Sequence, residues 1–151
     1  MKIWLIEDDP LQAEHIGREL RRGLRGRSEV EVRRIATEQQ FGSRFEEIAA
    51  SQPDVIVIDV LLRWTDPDPD MRPDPDEQME EGRVFSAGFR CLDRLAADPR
   101  TCDVPLLIYT ILDRGDVEER LARAPANTSY VRKESNPTNL IREVQRAVRA
   151  G

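Results

Sequence analysis

Five side chains in this sequence could do chemistry together, because each follows or closes a short apolar run. Glu7 and Asp8 follow residues 2–6, Asp59 follows residues 55–58, Thr110 closes residues 104–110, and Lys133 follows Ser129-Tyr130-Val131-Arg132. Three carboxylates within a few ångströms repel one another and require a cation. Oxygen ligands of this kind suit Mg²⁺, which accepts few protein ligands and keeps several waters. A lysine and a hydroxyl opposite such a metal are the groups that hold phosphoryl oxygens. Taken singly, each has a plain structural role: acids cap helices, threonine favours strands, lysine is a surface charge. Chemistry needs all five on one edge.

The elements that would place them there are legible from pattern. Val55-Ile56-Val57-Ile58 is an unbroken β-branched run, as in a strand buried on both faces of a parallel sheet. Periodicity alone leaves a buried helix segment open, but Ser51-Gln52-Pro53-Asp54 breaks a helix and β-branching favours a strand. In open α/β sheets the carboxyl ends of strands carry the site, and Asp59 stands at such an end as functional group or as cap of the next segment. Residues 2–6 read as a first strand. Asp9-Pro10 then starts a helix, with Asp9 as N-cap and Pro10 at the first helical position. Leu11, Ile16, Leu20 and Leu24 stripe it, and Gly23 and Gly26 end it. Val30, Val32 and Ile35 alternate as a second strand. Thr37-Glu38-Gln39-Gln40 is a capping box opening one helix to about Ala50, striped by Phe41, Phe45 and Ile48. Phe89, Leu92, Leu95 and Ala96 stripe a third helix, stopped by Asp98-Pro99. Residues 104–110 form a fourth strand, and Val117, Leu121 and Ala124 a short fourth helix. Residues 129–132 form a fifth strand. Asn136-Pro137 caps a last helix striped by Leu140, Ile141, Val144 and Val148. The alternation predicts a doubly wound α/β fold: a five-stranded parallel sheet in the flavodoxin-like order 2-1-3-4-5 with helices on both faces.

Composition bounds the function. The 151 residues, 39% apolar and 34% charged, fit one domain spanning 1–151 with a full core. No apolar run approaches the roughly 18–20 residues of a membrane span, and residues 1–6 meet acids too soon for a signal-peptide core, so the expected location is the cytoplasm. Cys91 and Cys102 fit no metal spacing and read as reduced thiols. The net charge is −6, yet residues 66–81 alone carry eight acids and one base, leaving +1 elsewhere. That Pro-rich run, within an acidic insertion at about 63–81, has no apolar period and reads as a loop. The Arg-rich run of Arg18, Arg21, Arg22, Arg25 and Arg27 reads as a solvated helix face and its exit. No basic patch suggests nucleic acid.

With these elements placed, Leu5-Ile6-Glu7-Asp8-Asp9, Val57-Ile58-Asp59, residues 105–110 ending in Thr110, and Tyr130-Val131-Arg132-Lys133 together resemble the response-regulator receiver domain of two-component signalling. Gly88-Phe89-Arg90-Cys91-Leu92 is similar to the glycine-led start of that family's third helix. The resemblance covers nearly the whole chain, from Lys2 to Val148, apart from the insertion. It implies that Asp59 accepts a phosphoryl group from a histidine kinase or phosphotransfer protein. It implies that Asp8 binds Mg²⁺ directly, Glu7 through water, and the backbone carbonyl of Leu61 completes the protein ligands. Lys133 would pair with a phosphoryl oxygen, Thr110 would hydrogen-bond the phosphoryl group, and Tyr130 would swing inward behind it. The coupled surface, formed by the fourth helix, fifth strand and last helix, would bind a downstream protein or a second copy, with Arg132 available for ion pairing. Neither membrane nor direct nucleic-acid binding is implied.

Three departures from the family pattern stand out. Glu134 replaces the proline usual after the lysine, Ile111 replaces a small residue after the threonine and crowds access for a phosphodonor, and the loop after Asp59 is longer by roughly twenty residues and lacks a proline. A rival is a pseudo-receiver that binds partners without phosphate. Another is a phosphohydrolase of the haloacid-dehalogenase type, but Asp59-Val60-Leu61 lacks that family's second acid, and no enzyme activity is expected. His15 reads as a helix-surface residue, and Trp4 and Trp64 as packing residues.

Overall fold

The computed structural model describes residues 1–24, 26, 29–66 and 87–150. Of the acidic insertion, residues 63–66 belong to this set; the remainder, with the loop expected over residues 67–81, lies outside it. Five strands, β1 (Lys2–Ile6), β2 (Glu31–Ile35), β3 (Val55–Ile58), β4 (Leu106–Thr110) and β5 (Thr128–Arg132), pair in parallel in the order β2-β1-β3-β4-β5. Among the described residues, six helices connect and follow them: α1 (Pro10–Gly23), α2 (Glu38–Ser43), α3 (Phe45–Ser51), α4 (Ala87–Ala97), α5 (Arg114–Leu121) and α6 (Thr138–Ala150).

Strand alternation divides the core in two. Trp4, Ile6, Ile56, Ile58, Leu106 and Ile108 face α2 to α5. Ile3, Leu5, Val55, Val57, Leu107 and Tyr109 face α1 and α6. β3 is buried along its whole length, as expected of a central parallel strand between two helical layers.

The caps follow the sequence. Asp9 accepts from the N–H groups of Leu11 and Gln12 at 2.8 and 3.0 Å, and Asn136 accepts from the Thr138 N–H at 3.1 Å. Three expectations change. The helix expected from residue 38 to about 50 is two helices, broken at Arg44 after Gly42-Ser43, a pair of weak helix formers. Arg44 leaves the axis to donate to the Arg34 carbonyl at 3.1 Å and to stack 4.9 Å from the Trp4 ring centroid. The capping box is also only half formed. Thr37 accepts from the Gln40 N–H, but Gln40 reaches back to the Ala36 N–H instead of that of Thr37. Leu11 is no part of the α1 stripe: it is 77% exposed, and Ala13, Ile16, Gly17 and Leu20 bury the face instead.

Candidate acidic site at the carboxyl edge of the sheet

The sheet carries its ladder one residue past the strand ends, onto the chemistry. The Glu7 N–H donates to the Ile35 carbonyl at 2.9 Å, the Asp59 N–H to the Ile6 carbonyl at 2.9 Å, and the Lys133 N–H to the Thr110 carbonyl at 2.7 Å. All five strands thus take part in fixing the backbones of Glu7, Asp59 and Lys133, while the side chains extend over the edge. The residue behind them must be small. A Cβ on Gly88, at the start of α4, would stand 2.5 Å from the Asp59 carbonyl oxygen and from the Val60 Cα. Only glycine lets α4 pack this closely under the Asp59 backbone.

Glu7, Asp59 and Lys133 meet. The Lys133 ammonium donates to Asp59 Oδ2 at 2.5 Å, to Glu7 Oε2 at 2.6 Å and to Gln12 Oε1 at 3.1 Å. The Asp59 Oδ1 accepts from the Leu61 N–H at 3.0 Å, so both oxygens of the carboxylate are oriented. Glu7 Oε1 accepts from the Asp9 N–H at 3.1 Å. Burial pushes the Glu7 carboxyl above its ordinary range, and the Lys133 contacts only partly offset this. For Lys133, burial opposes the charge, but the Asp59 and Glu7 carboxylates outweigh it and raise the pKa, so the ammonium stays charged.

Asp8 stands apart from that cluster. Its carboxylate pairs with the Arg63 guanidinium at 3.1 Å. Its backbone carbonyl and that of Glu7 accept from Arg34 at 2.7 and 2.9 Å. The three carboxylates expected to require a cation have cations of the chain's own beside them. Lys133 lies between two of them and Arg63 neutralises the third. Among the described residues, no group of three acidic, histidine or cysteine side chains is assembled as a metal cage. The donor set still fits Mg²⁺ by chemistry: hard carboxylate oxygens on adjacent strands β1 and β3, with the chain turning at Leu61 just beyond. Assembling it requires Asp8 to exchange Arg63.

The other expected residues divide. Thr110 is fully buried at the end of β4, and its hydroxyl accepts a long 3.5 Å contact from the Leu112 N–H. Tyr130 donates to the Leu112 carbonyl at 2.6 Å, so one peptide segment touches both. Arg132, expected to be available for ion pairing, is already paired with Asp113 at 3.1 Å. Ile111 is 59% exposed beside Thr110. Glu134 is solvent-facing and accepts from Asn139 at 3.0 Å, on a chain without cis peptide bonds among the described residues. His15 contacts Arg18 on α1, Trp4 is buried beneath Arg33 and Arg44, and Trp64 packs against the core. Sequence reasoning missed Gln12, Arg34, Arg63 and Leu112. Arg63 alone carried a usable signal, a cation four residues past the central carboxylate.

No family model matches the sequence, and no curated protein matches it. Solved structures do. The signal receiver domain of a signal transduction histidine kinase from Syntrophus aciditrophicus aligns over 99% of this chain and 90% of its own, at 23% identity and a TM-score of 0.66. The receiver domain of a sensor histidine kinase from Pseudomonas aeruginosa PAO1, which has a magnesium ion coordinated in its active-site cleft, aligns over 97% and 96%, at 20% identity and 0.66. A phosphorylated cyanobacterial phytochrome response regulator aligns over 95% and 88%, at 20% identity and 0.63.

Proposed function

We propose, from the receiver-domain fold that this chain shares with those structures, that it is a response-regulator receiver whose Asp59 takes a phosphoryl group. The observation that carries the reading is the contact of Lys133 with both Asp59 and Glu7, 2.5 and 2.6 Å long, at the carboxyl edge of the central strand. In the proposed step an Asp59 oxygen bonds to phosphorus while the bond from phosphorus to the donor nitrogen or oxygen breaks. The leaving group keeps that electron pair and takes a proton. As the Asp59 charge is used, Lys133 transfers its ion pairing to a phosphoryl oxygen. The Leu61 N–H holds the carboxylate in position beforehand, so little reorganisation remains at the moment of reaction. Asp8, Asp59, the Leu61 carbonyl and, through water, Glu7 are the groups that would hold Mg²⁺. When bound, the ion supplies charge neutralisation for the transferring phosphoryl group.

The buried Thr110 hydroxyl, weakly engaged at 3.5 Å, turns to the phosphoryl group. Leu112, bonded to Thr110 and Tyr130 at once, passes the change to the face made by α5, β5 and α6. There the exposed Arg132–Asp113 pair can be exchanged for a partner's acid. The donor is a histidine kinase or phosphotransfer protein, and the receiver of the signal is a protein or a second copy of this chain. No helix among the described residues is long and apolar enough to cross a membrane, in keeping with a proposed place in the cytoplasm.

One observation favours a second reading. The acids are already neutralised by Lys133 and Arg63, as a module that binds partners without phosphate would require. Incubation with acetyl phosphate and Mg²⁺, followed by intact-mass measurement, separates the readings. A gain of one phosphoryl group, removed by hydroxylamine, is expected. No adduct under any donor supports the phosphate-free module. Steady release of inorganic phosphate without an adduct supports a hydrolase.

A further inference from the structure

We infer that Arg63 is a resident counter-cation of Asp8 that competes with the divalent metal, so that loading the site is an exchange of guanidinium for metal. The inference rests on the metal-binding reading of Asp8 given above. Three observations carry it. First, Arg63 Nε stands 3.1 Å from Asp8 Oδ2, so the carboxylate that would hold the metal already has a cation. Second, the backbone of Arg63 is anchored. Its carbonyl accepts from the Glu38 N–H at 3.0 Å, and the next carbonyl, that of Trp64, from the Gln39 N–H at 2.8 Å. Thr65 donates to Gln39 at 2.6 Å, and Gln40 donates to the Asp66 carboxylate at 3.2 Å. The segment is pinned to the first turn of α2, so the guanidinium is held near Asp8 instead of searching for it, and a pre-positioned competitor loses less freedom on binding. Third, the contact is open: the Arg63 side chain is 61% exposed and that of Asp8 18%. An exposed pair of this kind is weak and screened by salt, so metal can displace it without unfolding anything.

Lys133 cannot play this part. Its side chain is 7% exposed and its ammonium is shared by Glu7 and Asp59. Arg34 cannot either, because it holds the carbonyls of Glu7 and Asp8 and leaves the carboxylates alone. Among the described residues the competition therefore resides in one side chain, and removing it has one direction of effect. Affinity for metal rises, while the metal-free protein loses a weak contact.

The test measures Mg²⁺ and Mn²⁺ binding by calorimetry on the full chain, at low and high salt, together with melts in chelator and in saturating metal. Arg63→Gln is expected to bind metal about three- to tenfold tighter than wild type, the size of an exposed pair plus one unit of nearby charge. The gain should shrink at high salt. Arg63→Lys, which keeps the charge, should stay within about twofold. On the Asp8→Asn background, where the pair is absent, the Arg63→Gln gain should shrink to the part due to nearby charge alone. In melts, Arg63→Gln should fall slightly below wild type in chelator and reach or exceed it in saturating metal, a crossing that a merely structural role does not produce. Equal or weaker affinity of Arg63→Gln, with wild type binding normally, overturns the exchange. Absence of binding to wild type and Arg63→Gln alike overturns the metal-binding reading of the site itself, a separate result.

Discussion

The site contains two cation–carboxylate contacts of opposite character. The inner one, Lys133 with Glu7 and Asp59, is sealed, with side chains 7%, 2% and 6% exposed. The outer one, Arg63 with Asp8, faces water at 61% and 18%. The chemistry is the same and the surroundings differ. Attraction grows as water is excluded, but so does the penalty for removing either partner. The inner contact is thus a fixed clamp that orients the Asp59 carboxylate, and the outer one is the contact proposed to exchange with metal. A sheet edge that kept all three acids behind sealed cations could not admit metal; one with none would repel itself apart.

The largest effect should come from breaking the inner contact. Lys133→Ala leaves Glu7 and Asp59 buried and unpaired, which should destabilise by on the order of 2–3 kcal/mol at neutral pH, below the usual loss for a buried pair because Glu7 can take up a proton instead. Chemical denaturation measures it. The pH dependence has a defined sign. The wild-type Lys133 pKa is raised above its ordinary 10.5, so its contribution is fully present below that value and is lost as pH rises through the folded one. The Glu7 pKa is raised above its ordinary 4.5, so burial of this carboxyl favours folding only at acid pH, and that contribution is lost as pH rises through its folded value. The deficit of Lys133→Ala should accordingly shrink as pH falls through the raised Glu7 value, where that carboxyl takes up a proton. A deficit independent of pH would contradict the clamp.

Next in size is the floor beneath the clamp. Gly88→Ala forces a methyl into the backbone of Asp59 and Val60 and should cost about 1–3 kcal/mol. It should also slow phosphorylation, since Asp59 must shift; a variant as stable and as fast as wild type would show that α4 sets no geometry. Tyr130→Phe removes the bond to the Leu112 carbonyl and should cost about 1 kcal/mol, leaving phosphorylation intact and weakening the response of the α5–β5–α6 face. Spectral changes at that face identical to wild type on adding beryllofluoride would remove Tyr130 from the switch. The smallest effect belongs to the outer contact. Asp8→Ala in chelator should change stability by less than about 1 kcal/mol, because Arg63 already offsets the charge. A clear gain in stability would mean that repulsion, not pairing, rules the metal-free site.

Much of this was legible in the sequence because it depends on local pattern. The run of residues 55–58 fixed the central strand. Asp9-Pro10 and Asn136-Pro137 marked two helix starts, and the order of apolar runs gave strand order and the convergence of Glu7, Asp59 and Lys133. What was not legible depends on long side chains choosing among partners. Arg34 and Arg44 gave no signal of their partners, and Arg63 only that of a cation four residues past the central carboxylate, yet the guanidiniums reach the Glu7 and Asp8 carbonyls, the Trp4 ring and the Asp8 carboxylate. Leu11 failed as a core residue because the helix turned its apolar stripe onto Ala13 and Gly17, small residues that pattern reading undervalues.

The central claim is that Asp59, held by Lys133, is the phosphoacceptor. The most direct measurement is borohydride trapping after acetyl phosphate and Mg²⁺, which converts an aspartyl phosphate to homoserine, followed by peptide mapping of wild type and Asp59→Asn. Homoserine at position 59 in wild type, and at no position in Asp59→Asn, is the predicted result. Homoserine at another aspartate, or stoichiometric phosphate on Asp59→Asn, would contradict it.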